Sequence, residues 1–436
     1  MLRDSGKYSP VFFYASPYPS DFIDRDVAAC LEAGIDVLPR SVGGGTSPYL
    51  EGTLAGRRIR WLPRVAKELG KTAFYFVRYR QRLRAMRDML ADHDVALVVL
   101  PEDNVGYETG LLVKAAHDVG VRSLIVPYTI ANALGPAEAY WDSESFQLAY
   151  GLNRLLGRLY PNWMFTHKGR RLVRLPASRA LAMIWCGASP AAPWIMNSGQ
   201  ADMIAVESER TFEYNLCNGL EATRMELTGT LADDVLARGL QDRETVRHKV
   251  IEELGLDPAH RLIVSALPQN QLVGSGRPDC EFREYDELAT FWAETLTAVE
   301  GFSTILCLHP RADPPKFAHL ESENVRVVGG NTSRMIPVCD LYVAGMSSTI
   351  RWAIACGIPT INYDVYRYRY RDYDEAGVLY VDSREAFRET VADVTGDAAL
   401  YAALLEQQQL CMAEWGVLDG RVKERMMSLI GRLAAQ

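Results

Sequence analysis

The chain is 436 residues long, 48 % hydrophobic and carries a net charge of −8, which suits two or three domains with cores of their own. The acidic balance argues against a general nucleic-acid binder, because phosphate-backbone binding needs a basic face. No apolar run reaches the roughly 18 residues needed to span a bilayer, and the start, Met1 to Gly6, lacks the apolar segment of a signal peptide.

The eight cysteines include no CxxC pair. Several fall inside apolar runs, which reads as reduced core thiols of a cytosolic protein. The seven histidines show no metal-ligand spacing.

Short β-branched runs alternate with amphipathic patterns along the chain, the signature of parallel sheets built from βαβ units. In the first half the pattern predicts strands at Pro10–Tyr14, Asp36–Leu38, Ala96–Leu100, Ser123–Val126, Met203–Val206 and Glu226–Thr228. Helices are predicted at Arg25–Ala33, Ala73–Ala91, Glu108–Val119 and Glu209–Asn218. Gly43-Gly44-Gly45-Thr46 follows an early strand but lacks the surroundings of a phosphate-binding glycine loop.

Glu102 and Asp103 follow the buried strand Ala96–Leu100, the position for a carboxylate that takes a proton from a hydroxyl. Alternatively one of them caps the helix that begins near Gly106–Glu108. Residues 141–197 break the alternation. Arginines and lysine from Arg154 to Arg179 are interleaved there with Tyr160, Trp163, Phe165, Trp185 and Trp194. The segment is expected to be a helical insertion, its aromatics either packed on the core, or lying on an anionic membrane surface or cupping a lipid-linked acceptor.

The joint between halves is expected at Thr230–Arg243, before a charged helix ending at Gly255-Leu256-Asp257-Pro258. In the second half strands are predicted at Leu262–Ser265, Thr304–Leu308, Val325–Val328, Leu341–Val343 and Thr360–Tyr363. The third-quarter strand runs into His309-Pro310-Arg311, and the strand at Leu341 leads to Ser347-Ser348-Thr349 at a helix start, with Arg351 one turn inside. A helix start favours a phosphate, and serine and threonine hydroxyls add donors. His309 could instead be a strand-end histidine bonded to backbone, Arg311 an exposed surface residue, and Ser347–Thr349 an ordinary cap.

Gln269 and Asn270 lie in a polar loop after the domain's first strand, facing a ligand or simply connecting elements. The run from Tyr363 to Tyr373 alternates tyrosine with arginine, suited to stacking on a base or to forming an aromatic ribbon. Ala398–Leu433 reads as a final helical stretch that crosses back to the first half.

The second half resembles the nucleotide-binding domain of two-domain GT-B glycosyltransferases, most closely those using cytidine-activated donors: bacterial sialyltransferases, β-Kdo capsule transferases and CDP-glycerol glycerophosphotransferases. The charged helix into Gly255-Leu256-Asp257, the pair His309-Pro310, and Cys339-Asp340 through Ser347-Ser348-Thr349 to Gly357-Ile358-Pro359 carry this resemblance. It implies an α/β chain of two Rossmann-like doubly wound domains facing a cleft, and a nucleotide-sugar donor held by His309, Pro310, Arg311, Ser347, Ser348, Thr349, Arg351, Gln269 and Asn270. Residues 1–235 would form the acceptor-binding domain, 236–397 the donor-binding domain, and 398–436 the terminal helices. The first half departs more: Glu102-Asp103-Asn104 is the nearest match to the acidic pair of the sialyltransferases, with its glycine displaced to 106.

The expected activity is therefore glycosyl transfer, with a CMP-sugar favoured, to a glycan or lipid-linked acceptor of surface polysaccharide. Inversion is expected, with Asp103 or Glu102 as base and no required metal or cofactor. The chain would be cytoplasmic, with peripheral membrane contact through 141–197. The Asp-x-Asp triplets at 24–26, 92–94 and 372–374 are expected by chance in a chain with 55 acidic residues. Two rivals stand: a non-hydrolysing UDP-N-acetylglucosamine 2-epimerase, whose Ser-Gly-Gly loop differs from Ser347-Ser348-Thr349, and an inactive glycan- or nucleotide-binding module.

Overall fold

The computed structural model describes residues 11–13, 21–37, 64–126, 133–272, 279–309, 312–330 and 332–436. The expectations at 43–46 and at Pro310 and Arg311 lie outside these residues. The chain divides into two compact units: unit 1 holds Met1–Val206, Phe212–Thr228 and Lys423–Gln436, and unit 2 holds Glu207–Thr211 and Gly229–Val422.

Unit 1 begins with β1 (Val11–Phe13) and α1 (Asp21–Glu32), followed by the long α2 (Arg64–Asp92) and β2 (Leu97–Leu100). Tyr79, Leu83 and Leu90 of α2 are buried; their spacing of four and seven residues keeps them on one helix face. Next come α3 (Thr109–Asp118) and β3 (Arg122–Ile125). Then α4 (Leu134–Tyr140) leads into the segment 141–197 expected to be a helical insertion, which holds α5 (Asn153–Leu159), β4 (Met164–His167), β5 (Arg170–Val173) and α6 (Ala177–Trp185).

That expectation is corrected in part, because β4 and β5 pair as an antiparallel hairpin. Lys168 and Gly169 at its turn both have positive φ, 44° and 75°, the twist that matches a two-residue hairpin loop. Trp163 and Trp194 are buried, so these aromatics serve the core.

After β6 (Met203–Val206), α7 (Glu209–Cys217) and β7 (Met225–Leu227), the five strands form one sheet in the order β1-β2-β3-β6-β7. Every pairing in it is parallel. Val37 forms a parallel bridge on Val11, so β1 is flanked on both sides, and the order of chain reverses between β1 and β2.

Unit 2 continues with α8 (Leu231–Gln241) and α9 (Arg243–Leu254), the latter closed by Gly255 at φ 59°, a left-handed cap that glycine adopts without Cβ strain. Then follow β8 (Arg261–Ala266), α10 (Tyr285–Thr297), β9 (Phe302–Leu308), β10 (Val325–Gly329) and α11 (Thr332–Met335). The remainder is β11 (Leu341–Ala344), α12 (Ile350–Ala355), β12 (Thr360–Tyr363), β13 (Leu379–Val381), α13 (Arg384–Gly396) and α14 (Ala398–Trp415).

The sheet runs β10-β9-β8-β11-β12-β13, all parallel. Starting at its middle strand and growing first one way and then the other is the doubly wound order of a nucleotide-binding domain. Trp292 of α10 locks the core by stacking on Tyr363, ring centroids 5.4 Å apart, while its Nε1 donates to Ser265 Oγ at 2.8 Å.

The terminal stretch consists of two helices. A break from Gly416 to Gly420 precedes α15 (Val422–Ala434), and unit 1 takes the chain from Lys423 onward. Met426, Leu429 and Ile430 of α15 are buried among Val11, Leu97, Val99 and Leu124. No helix among the described residues is long and apolar enough to cross a membrane.

Candidate functional site

In unit 1 the switch between β1 and β2 is where an open α/β sheet binds ligands, just beyond the strands' C-terminal ends. All four residues of β2 are buried, and Pro101 ends the strand, which delivers Glu102 and Asp103 to that edge. Both are nearly buried, at 3 % and 6 % exposure.

Asp103 is fixed from several directions. Its N–H donates to Asn197 Oδ1 at 2.8 Å and its carbonyl accepts from Asn197 N–H at 3.0 Å. Thr109 Oγ1 donates to Asp103 Oδ1 at 2.9 Å. Oδ2 is buried without a hydrogen-bond partner, as is Oε1 of Glu102. Burial raises the Asp103 pKa above the usual carboxylate value, against the pull of Thr109 and Arg224. Glu102 is pushed up to about 7, first by burial and then by the Asp103 charge, with Arg174 opposing. Two adjacent carboxyls in a dry site do not both ionise readily, so they titrate as a pair.

The capping alternative is excluded by geometry. Asn104 caps the 3₁₀ turn Val105–Tyr107 by accepting from Gly106 N–H, and Glu108, at the N-terminus of α3, makes no side-chain cap.

Asp103 lines a pocket of about 320 Å³, open mouth included, with Asn104, Pro136, Arg174, Trp194 and Met196. Arg174 is buried beneath it: Nη2 donates to Asn104 Oδ1 at 2.8 Å and Nη1 to Tyr140 Oη at 3.1 Å, while Nε has no partner. Its guanidinium lies 5.5 Å from the Tyr140 ring centroid and 5.9 Å from that of Trp194. Arg174, Trp194, Asn197 and Thr109 were not singled out as site residues from sequence. Arg174 and Trp194 stood in the basic, aromatic stretch, but only the fold turns them toward Asp103. Asn197 holds φ 64°, a conformation that asparagine tolerates better than most residues, but that angle is visible only in the folded chain.

In unit 2 the corresponding switch lies between β8 and β11. Ala266 is level with Cys307 on one side and with Ala344 on the other. The next residues on these three strands are therefore neighbours at one edge: Gln269 and Asn270 after β8, His309 after β9, and Ser347–Thr349 after β11. With strands about 4.8 Å apart, the β9 and β11 ends stand about 10 Å from each other across β8.

His309 is half-buried, and its carbonyl accepts from Ala312 N–H at 2.8 Å. Ser347 Oγ and Thr349 Oγ1 are 2.7 Å apart, Thr349 N–H donates to Ser347 Oγ at 3.3 Å, and Tyr342 Oη bonds Thr349 Oγ1. Met346 before them holds φ 52°, pinned by its N–H to Asn362 Oδ1 at 3.1 Å. Ser348 is half-buried. Gln269 and Asn270 are exposed; Tyr366 Oη donates to the Gln269 carbonyl at 2.5 Å, and Asn270 Oδ1 accepts from Leu272 N–H at 3.0 Å.

Arg351 is brought elsewhere. It is 3 % exposed, and its guanidinium donates to Asp233 Oδ1 at 2.9 Å and to the Trp415 carbonyl at 2.9 Å. A helix turns residue 351 inward when residue 349 faces the loop, so the planar fork is committed to the interior of unit 2.

The tyrosine–arginine run divides by side. Tyr363, Tyr366, Tyr370 and Tyr373 are buried, while Arg369 and Arg371 are exposed. Asp364 holds the turn, accepting from Tyr368 N–H at 2.8 Å, Arg369 N–H at 2.6 Å and Tyr380 Oη at 2.6 Å. No group of three or more metal-ligating side chains forms among the described residues.

No protein-family model matches the sequence, and no curated protein does. Among solved structures the chain is similar to CalG4, the calicheamicin glycosyltransferase, at 15 % identity and a TM-score of 0.54, covering 98 % of this chain and 99 % of that one. It is similar to MnaA of S. aureus in a structure with UDP, at 11 % identity and a TM-score of 0.51, covering 97 % and 96 %. A third is the UDP-GlcNAc 2-epimerase from Neisseria meningitidis bound to UDP-GlcNAc, at 12 % identity and a TM-score of 0.50, covering 98 % and 100 %. At these identities the likeness concerns the backbone. With two parallel, Rossmann-like sheets matched over nearly the whole length of each chain, the protein has the GT-B fold.

Proposed function

We propose that the protein is a glycosyltransferase that moves a sugar from a nucleotide-activated donor to a hydroxyl of a glycan or lipid-linked acceptor. The observation that supports this most is the sharing of one sheet edge by His309, the loop at Gln269 and the hydroxyls of Ser347–Thr349. Unit 2 holds the donor phosphate there. Asp103 of unit 1 removes the acceptor proton, the freed oxygen attacks the anomeric carbon, and the bond from that carbon to the phosphate oxygen breaks with its electrons going to the nucleotide. His309 and the hydroxyls stabilise the charge that develops on the leaving phosphate, a role that requires no metal. A single displacement inverts the anomeric centre. The cytidine preference rests on the motif resemblance at His309-Pro310 and Ser347–Thr349.

A second reading is sugar epimerisation on a UDP-sugar, favoured by the two full-length structural neighbours that are a 2-epimerase and a UDP complex. Calorimetric titration with CMP, CDP, UDP, GDP and ADP separates the base preferences. A cytidine nucleotide binding at least tenfold tighter than UDP supports the transferase reading. Selective UDP binding, with appearance of the C2 epimer from UDP-N-acetylglucosamine, would replace it by the second.

A further inference from the structure

The surface of α2 points to a function separate from donor chemistry. Its inner face carries Tyr79, Leu83 and Leu90. On the outer face Phe74, Val77 and Arg84 follow one another at steps of three and seven, with Arg80 between, so the four form a single stripe. Phe74 and Val77 are 47 % and 54 % exposed, and both arginines are exposed. Asp88 is the acid that closes the stripe one turn later.

Helix α6 widens it. Trp185 at the end of α6 is 54 % exposed and meets Phe76 of α2 edge-on, ring centroids 6.2 Å apart, while Arg80 lies 5.9 Å over that same Phe76 ring. Helix α5, which packs on α6, adds Leu155 and Leu159, 45 % and 57 % exposed, beside the exposed Arg154 and Arg158. Large apolar side chains are exposed here in company with arginines, in a chain whose net charge is −8. Apolar side chains ringed by cations match a surface that is hydrocarbon beneath and anionic above, and a tryptophan suits the boundary between them.

We propose that this face of unit 1, built on α2 and α6, docks on an anionic lipid bilayer. The insertion at 141–197 contributes through α5 and Trp185, whereas its Trp163, Trp194 and Arg174 are buried in unit 1. Phe74, Val77 and Trp185 enter the headgroup boundary, and Arg80 and Arg84 pair with lipid phosphates. The proposal does not depend on the nucleotide or the reaction.

The full-length protein is sedimented with vesicles of phosphatidylcholine alone and with vesicles in which about a third of the lipid is phosphatidylglycerol. Binding to the anionic vesicles that weakens with salt supports the proposal. Each basic residue near such a surface is worth roughly fivefold in partitioning, so Arg80→Glu with Arg84→Glu lowers binding more than tenfold, and Phe74→Ser with Val77→Ser lowers it at low salt as well. Lys316→Glu, an exposed position in unit 2, leaves it unchanged. Circular dichroism melts confirm that the variants are folded. Equal binding to neutral vesicles, no binding, or unchanged binding in folded variants overturns the proposal. So does light scattering that shows the wild type dimeric and Phe74→Ser with Val77→Ser monomeric, since a second copy of the chain would then cover this face.

Discussion

Asp103 Oδ2 lies against the α-carbon of Gly199, so closely that a methyl group there would come within 1.5 Å of the oxygen. The backbone at 199 has room only for hydrogen, and the main chain itself walls one side of the carboxylate. Gly199→Ala is therefore expected to push the Asp103 side chain off its Thr109 hydrogen bond. If the proposed reaction is right, turnover should fall at least tenfold, and the same is expected of Asp103→Asn, while nucleotide affinity in unit 2 stays unchanged. Steady-state kinetics beside calorimetric titration check the separation.

Glu102 gives a pH signature. Its folded pKa is about 7 against an ordinary value of 4.5. An acid raised in this way favours the folded state while it is protonated, so its contribution is complete below about pH 4.5 and is lost as pH rises through 7. The shift corresponds to roughly 3 kcal/mol. Glu102→Gln is expected to stabilise the protein by up to that amount at pH 8 and to change little at pH 4.5, as read by urea unfolding at the two values.

The buried pair Arg351–Asp233 predicts loss of stability ahead of loss of ligand. Arg351→Met leaves the buried Asp233 side chain without its guanidinium partner, at a cost of about 3–5 kcal/mol. Changing both residues, Arg351→Met with Asp233→Leu, should recover much of that loss. Differential scanning calorimetry of the single and double variants tests this. Full stability in the single variant together with weakened nucleotide binding would instead place the guanidinium at the donor.

At the edge of unit 2, His309→Ala and Ser347→Ala are each expected to weaken nucleotide binding about ten- to a hundredfold, the effect of losing one hydrogen bond to a charged group. Their combined effect should depart from the sum if both touch one phosphate, because groups sharing a partner are not additive. A double-mutant cycle measured by titration calorimetry decides it.

Much of this fold was legible in the sequence, for physical reasons visible in particular elements. The strands at Met203–Val206 and Thr360–Tyr363 were read with their observed limits, the first because a short, continuous apolar run is what a parallel strand covered on both faces requires. The hairpin of β4 and β5 was missed. Its strands carry Arg170, Arg171 and His167, and its turn is Lys-Gly in place of the asparagine- or aspartate-glycine pairs that mark such loops. Glu102 and Asp103 were legible because a strand end is a position in sequence. Arg174 and Asn197 were not, because some seventy and more residues separate them from the carboxylates they surround, and only the folded chain closes that gap. Arg351 shows the opposite case: nearness in sequence to Thr349 suggested a shared task, and an offset of two residues, about half a turn of helix, sends the two side chains different ways.

Helix α15 sets an order of events during synthesis. The apolar flank of the first sheet, at Val11, Leu97, Val99 and Leu124, is sealed by Met426, Leu429 and Ile430, which leave the ribosome some three hundred residues after Leu124. The earliest strands must therefore wait, with greasy ground uncovered, while the whole of unit 2 is translated and free to fold. Nascent chains halted before residue 422 should need a chaperone that longer ones release.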